Sequence, residues 1–230
     1  MFRSIIRKIV YREKADSDSY IRYLRSIGMK IGDYCLIVTP TKTVIDETRP
    51  WLISMGNNVM IAQGVTILTH GYDWSVLKGV YGDILGSSGG VSIGNNVFIG
   101  MNSTILKGTH IGDNVIIGAG SIVTKDIPDN VVAAGNPCRV IMPLDEYHEK
   151  RKAAQLEEAA ELVRLYRERY GKEPDEKVLD EFFWLFEDNP DTLPEIWKNK
   201  NKLGGNEAVC NEVMRHRVPA FHGMDEFLNF

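Results

Sequence analysis

Apolar positions in the middle of this chain recur every six residues. From residue 93 the phrase runs Ile93-Gly94-Asn95-Asn96-Val97-Phe98, Ile99-Gly100, Ile105, Ile111-Gly112-Asp113-Asn114-Val115-Ile116, Ile117-Gly118 and Val123. Six is the period of neither a helix nor a single strand, so the repeat itself dictates the architecture. The phrase also stands upstream, where Ile31-Gly32, Ile37, Met55-Gly56-Asn57-Asn58-Val59, Ile61 and Ile67 share one grid. Ile93 follows Ile67 by 26 residues, which is not a multiple of six, so a segment is inserted between the two sets. A slimmer side chain sits four residues after nine of these eleven positions: Cys35, Thr41, Val59, Val65, Val97, Ser103, Thr109, Val115 and Ser121. Both columns are predicted to point inward.

This pattern predicts short straight segments laid around a three-sided prism, one hexad per side, with aliphatic residues stacking coil on coil at about 4.8 Å. The Gly, Asn and Asp residues after each aliphatic position are expected at the corners, where positive φ is cheapest for those types. The fold class that follows is an all-β solenoid.

The flanks change grammar. Phe2, Ile5, Ile6, Ile9 and Val10 fall on one helical stripe with Arg3, Arg7, Lys8 and Arg12 beside or opposite it, and Tyr20, Leu24 and Ile27 continue helical spacing up to Gly28. After Pro143, Leu156, Ala159, Val163, Tyr166 and Tyr170 follow a helical period to Gly171, and Val178, Phe182 and Leu185 predict a second helix before Asn189-Pro190. Trp184, Trp197, Phe221, Phe227 and Phe230 are anchors for docking on the prism or on a neighbouring subunit. The organisation is therefore an N-terminal helical segment (1–28), a β-solenoid (29–144) with an inserted loop (70–92), and an α-helical extension (145–230).

Composition narrows the function. The net charge is −4, and no basic stripe with interleaved aromatics lies on the prism, which argues against nucleic-acid binding. No apolar run reaches the roughly 18–20 residues that span a bilayer, and the first residues lack a signal-peptide core, so a cytoplasmic address is expected. Residues 1–14 form a basic amphipathic stripe, suited either to a subunit contact or to peripheral contact with the inner face of the membrane. Cys35, Cys138 and Cys210 are scattered and form neither a disulfide framework nor a metal motif.

The insertion carries the candidate chemistry: Thr69-His70-Gly71-Tyr72-Asp73-Trp74-Ser75, then Gly86-Ser87-Ser88-Gly89-Gly90. An excursion of this size costs closure entropy and is more often functional than decorative. His70 stands at its foot, directly after a grid strand, and imidazole suits removal of a proton from a hydroxyl near neutral pH.

The run Ile93 to Ile141, with Gly118-Ala119-Gly120-Ser121-Ile122-Val123-Thr124-Lys125-Asp126-Ile127-Pro128 and Val132-Ala133-Ala134-Gly135-Asn136-Pro137-Cys138-Arg139-Val140-Ile141, resembles the hexapeptide-repeat acyltransferases of the galactoside, maltose and nodulation O-acetyltransferase group. Asp46-Glu47-Thr48-Arg49-Pro50-Trp51 and Leu68-Thr69-His70 resemble its surface-polysaccharide branch. The resemblance spans residues 28–142. It implies a left-handed parallel β-helix, a homotrimer with sites between neighbouring prisms, acetyl-CoA as donor, and a sugar or glycan acceptor. His70 matches the family's catalytic base. Ala119, Thr124, Lys125 and Arg139 match residues lining the CoA channel, and Met101 stands where the family commonly has Ser and a main-chain N–H meets the thioester oxygen. Met142 replaces a second family arginine, and Phe98 replaces a Trp. For the acceptor, Glu47 lies opposite a family Asp and Thr39 near a family Asn. Tyr72 and Trp74 are expected to stack on a sugar ring, and Asp73 or Glu47 to orient the imidazole or grip sugar hydroxyls.

Three rivals remain open. An N-acetyltransferase acting on a nucleotide amino sugar would use the same base, and a non-catalytic trimeric scaffold would use the tail to dock. A zinc-dependent carbonic anhydrase type shares the solenoid but needs three imidazoles, and residues 29–144 hold only His70 and His110, so no metal is expected.

Overall fold

The structure is a computed structural model describing residues 2–230, with side chains at Ile6, Arg7 and from Ile9 onward; Phe2 and Ile5 of the N-terminal stripe lie outside the described side chains. The chain divides into two compact units, residues 1–147 and 148–230.

In the first unit, the strands of the coil are laid in turn into three sheets, parallel throughout except for the last strand of the second. The first sheet holds β1 (Lys30–Ile31), β4 (Ile53–Met55), β9 (Val91–Ile93) and β12 (Thr109–Ile111). The second holds β2 (Leu36–Ile37), β5 (Val59–Ile61), β10 (Val97–Ile99), β13 (Val115–Ile117), β15 (Val131–Ala134) and β16 (Arg139–Pro143). The third holds β3 (Val44–Ile45), β6 (Thr66–Ile67), β11 (Thr104–Ile105) and β14 (Ile122–Val123). Each circuit stacks its aliphatic residues on the last, so Ile61, Ile67, Ile99, Ile105, Ile111, Ile117 and Val123 are fully buried in one core.

Register is regular downstream and irregular upstream. Val97 pairs with Val115, eighteen residues on. Val59 pairs with Val97, where the surplus is the insertion. Lys30 pairs with Ser54 and Val44 with Thr66, because 3-10 turns at Pro40–Lys42 and Pro50–Leu52 lengthen the first circuit. Thr41, expected inside, therefore lies exposed on the first of these turns, and Thr43 and Ile45 take the inward places. Proline fixes φ and starts the turn, which moves the grid.

The corners bear out the expectation at the asparagines but not at the glycines. Positive φ falls on Asn58, Asn96, Asn114 and Asn130 (55–58°), and on Tyr34 at the same corner of the first circuit (57°), not on the glycine after each aliphatic residue. Those glycines answer to close approach: a Cβ on Gly56 would lie 2.6 Å from Asn95 Oδ1 and 2.8 Å from the Gly94 carbonyl oxygen. The neighbouring corner residues form a ladder, with Asn95 Oδ1 accepting from Asn57 N (2.9 Å), Asp113 Oδ1 from Asn95 N (2.6 Å) and Asp129 Oδ1 from Asp113 N (2.7 Å).

Helices and a reversed strand close the coil. α1 (Phe2–Tyr11) precedes α2 (Ser17–Ser26), which is capped by Asp16 and buries Tyr20, Ile21 and Leu24 in the coil's core. The Ile37 N–H donates to Ser17 Oγ (2.9 Å). At the far end β16 runs antiparallel to β15. The insertion, read from sequence as a loop, contains α3 (Trp74–Tyr81) between two short strands, β7 (His70–Gly71) and β8 (Ser87–Ser88), which pair antiparallel.

α4 (Leu144–Tyr170) ends at Gly171, whose φ is 63°, as its periodicity predicts. The second predicted helix does not form: residues 178–182 are turns and Phe183–Leu185 is a 3-10 segment. Asp175 Oδ1 accepts the N–H groups of Lys177 and Val178, fixing a turn, and bulky aromatics at 182–184 are poor helix formers. α5 (Glu195–Lys202), α6 (Glu207–His216) and α7 (Met224–Leu228) follow. The second unit has its own core, in which Leu179, Phe183, Phe186, Trp197, Met214, Phe221 and Phe227 are buried, while Phe230 stays exposed. Among the described residues no helix is long and apolar enough to cross a membrane.

Candidate active site

The third sheet delivers the site. Ile45, Ile67, Ile105 and Val123 are in register, so the residues that leave this face, Asp46, Leu68, Leu106 and Thr124, occupy one edge of the coil on four successive circuits. Main-chain bonds continue the ladder past the strand ends: Asp46 N to Ile67 O, Leu68 N to Ile105 O and Leu106 N to Val123 O, each 3.0 Å. On this edge His70 Nδ1 lies 2.7 Å from Asp46 Oδ2. The His70 side chain is 15% exposed and that of Asp46 is 4% exposed.

Four donors converge on the Asp46 carboxylate. Oδ1 accepts from Thr48 Oγ1 (2.6 Å) and Thr48 N (3.0 Å), and Oδ2 accepts from the fully buried Thr69 hydroxyl as well as from His70. Burial alone would push this carboxyl up, but the bonds from Thr48, Thr69 and His70 outweigh it and hold Asp46 well below the usual carboxylate range. Beside an ionised carboxylate the shared proton belongs to the imidazole, so Nδ1 carries N–H and Nε2 is the basic nitrogen. Thr69 also fixes the foot of the insertion, its carbonyl accepting from Gly89 N (2.9 Å) and Ser88 Oγ (3.1 Å). Sequence reasoning assigned the orienting role to Asp73 or Glu47; the structure gives it to Asp46, with Thr48 and Thr69 in support. The register shift in the first circuit hid this, because a circuit of eighteen residues places residue 52, not Asp46, beside residue 70.

The other expected residues fall into distinct groups. Tyr72 meets the His70 ring edge-on at 5.2 Å, and Trp74 meets Tyr72 at 6.2 Å, so three aromatic rings line the start of the insertion. Asp73 is exposed there. The Glu47 carboxylate accepts from Tyr20 Oη (2.7 Å) and Tyr23 Oη (3.3 Å) and pairs with Lys14 Nζ (3.5 Å), which ties it to the N-terminal helices. Thr124 and Lys125 are exposed on the same edge as Asp46 and His70, two circuits from Leu68, or about 10 Å at the usual strand spacing. Met101 and Ala119 are exposed on a different edge, after the second sheet, where Gly120 N donates to Met101 O (2.8 Å). Arg139 is exposed at the start of β16, its Nη1 donating to the Cys138 carbonyl (2.7 Å). His110 Nδ1 lies 2.8 Å from Ser92 Oγ. Among the described residues no group of three or more His, Cys, Asp or Glu side chains is placed to hold a metal.

Residues 90–125 match the family described as the hexapeptide repeat of succinyl-transferase. Over 127 residues the chain is 42% identical to protein CapG of Staphylococcus aureus, covering 55% of this chain and 73% of that protein. It is 45% identical over 156 residues to a galactoside O-acetyltransferase of Lactococcus lactis subsp. lactis, covering 59% of this chain and 73% of the relative. It is 46% identical over 104 residues to the galactoside O-acetyltransferase of Escherichia coli K12, where the match spans about half of each, 45% and 49%. The repeat match and the shared length with these relatives place the chain: it belongs to the hexapeptide-repeat acetyltransferase family.

Proposed function

We propose that this protein is an acetyl-CoA-dependent O-acetyltransferase acting on a hydroxyl of a sugar or polysaccharide precursor, with His70 as general base. The observation that carries this reading is the Asp46–His70 pair at the foot of the insertion, which sets Nε2 as the basic nitrogen.

The donor supplies an acetyl thioester. His70 Nε2 takes the proton of the acceptor hydroxyl as its oxygen bonds to the acetyl carbon. A main-chain N–H near Met101 holds the charge that develops on the carbonyl oxygen. The carbon–sulfur bond breaks, the coenzyme leaves as thiolate, and the imidazolium is positioned to return its proton to that sulfur. Asp46 holds the ring in one tautomer and stabilises the imidazolium. General-base assistance is worth about 10²–10⁴ in rate, and one oxyanion donor a further ~10²–10³. Lys125 and Arg139 are exposed cations suited to the donor's phosphates. Tyr72 and Trp74 offer aromatic faces for a sugar ring.

The coil is read as a left-handed parallel β-helix assembled as a homotrimer. Supporting this, His70 and Lys125 lie on one edge of a single chain while Met101 and Ala119 lie on another, so a second copy brings both sets into one cleft. The test is thiol release from acetyl-CoA across sugars, glycolipid precursors and nucleotide amino sugars, with mapping of the product. Acetyl ester on a sugar hydroxyl, lost in His70→Ala, is the expected result. Amide formation, or turnover retained in His70→Ala, overturns it.

A further inference from the structure

We propose that α1 is a membrane-surface anchor that lays its apolar face on a bilayer rich in anionic phospholipid. The two N-terminal helices make opposite use of their apolar stripes. α2 buries Tyr20, Ile21 and Leu24 completely or nearly so, whereas on α1 Ile6 is 46% exposed, Ile9 72% and Val10 62%. The helices are set apart by a joint at Arg12, where φ is 47°, followed by a 3-10 turn and the Asp16 cap. Ile6, Ile9 and Val10 of α1 thus lie outside the coil's core.

Charge identifies the occupant. In sequence, Phe2, Ile5, Ile6 and Ile9 fall within one sector of the helical wheel, and Arg3, Arg7, Lys8 and Arg12 surround the opposite one; no acidic residue precedes Glu13. An apolar sector flanked by cations suits the boundary between acyl chains and anionic headgroups, where each basic residue gains from the negative surface potential. A second copy of the same stripe would bring like charges to one seam and gain nothing from them. α1 has 10 residues, half of what spanning requires, so it lies on the surface.

The anchor's root adjoins the candidate chemistry. Lys14, just beyond the joint, donates to the Thr43 carbonyl (3.3 Å) and pairs with Glu47, the neighbour in chain of Asp46. A bilayer-bound α1 would hold this edge of the coil near the membrane, where an acceptor carried on lipid is presented. That last consequence rests on the transferase reading; membrane binding itself does not.

The experiment is co-sedimentation of the full chain with vesicles of phosphatidylglycerol and phosphatidylcholine, set against phosphatidylcholine alone, at low and high ionic strength. Binding to the anionic vesicles is expected to be at least about tenfold stronger and to weaken with salt. Ile6→Glu with Ile9→Glu is expected to lower it by about tenfold or more while the circular dichroism melt is unchanged, and Arg7→Glu to reduce anionic binding alone. Equal or absent binding to the two vesicle types, or binding indifferent to both variants, overturns the proposal. Loss of oligomeric mass in the double variant, without vesicle binding by the parent, assigns the stripe to a second copy instead. None of these readouts uses acetyl transfer, so a failed transferase assay leaves the result standing.

Discussion

The upstream and downstream halves of the coil are built from one phrase yet do different things. Downstream, from Val91 to Val123, each circuit repeats the last, and residues such as Ile99, Ile105 and Ile117 have only packing to perform. Upstream, two 3-10 turns and an insertion break the count, and every group around the candidate base, Asp46, Thr48, Thr69, His70 and Tyr72, lies at or beside a break. Regular circuits supply rigidity, and interruptions allow polar side chains to be held against it. Asp46 shows the principle: a nearly buried carboxylate is stable there because four donors meet it.

Substitutions can separate the two halves. The largest loss is expected for His70→Ala, about 10³-fold or more in kcat with the melting temperature little changed, measured by thiol release and calorimetry. Asp46→Asn should follow with about 10²–10⁴-fold in kcat, since the ring loses its tautomer, and the acetyl-CoA KM should hardly move. Ile105→Ala should invert this pattern: about 2–5 kcal/mol of unfolding free energy is lost by denaturant titration, while turnover per folded molecule persists. Thr69→Val should cost roughly tenfold in kcat, with Thr69→Ser restoring it, because only the hydroxyl reaches Asp46. The smallest effect is expected for Asn96→Ala, about 1 kcal/mol, as alanine tolerates a φ of 55° less well than asparagine.

Acid should sharpen the contrast. The Asp46 carboxyl titrates below its unfolded value of 3.8. A depressed folded pKa stabilises the protein above the unfolded value, and that contribution is lost as pH falls through the folded one. Urea midpoints measured from pH 6 down to pH 3 should therefore decline more steeply in the parent than in Asp46→Asn.

Legibility in the sequence follows the same division. Ile93 to Val123 announce the prism because each hexad obeys one rule. The corner asparagines were legible as corners, but the glycine column was not legible as a packing constraint, since Gly56 is fixed by a neighbour a full circuit away in Gly94 and Asn95. Asp46 stood in plain view beside Glu47, and only the shifted register decides which carboxylate faces the imidazole while the other accepts from Tyr20. The turns at 178–185 were missed because Asp175 overrides a helical apolar spacing.

A stack of parallel strands offers open rims at top and bottom, and such rims invite further chains to add on. Here α2 lids the first turn and the reversed strand Arg139–Pro143, ending in proline, occupies the final edge of the second sheet. The column is thereby given a defined height, and growth into a filament is stopped at both ends by the chain's own segments.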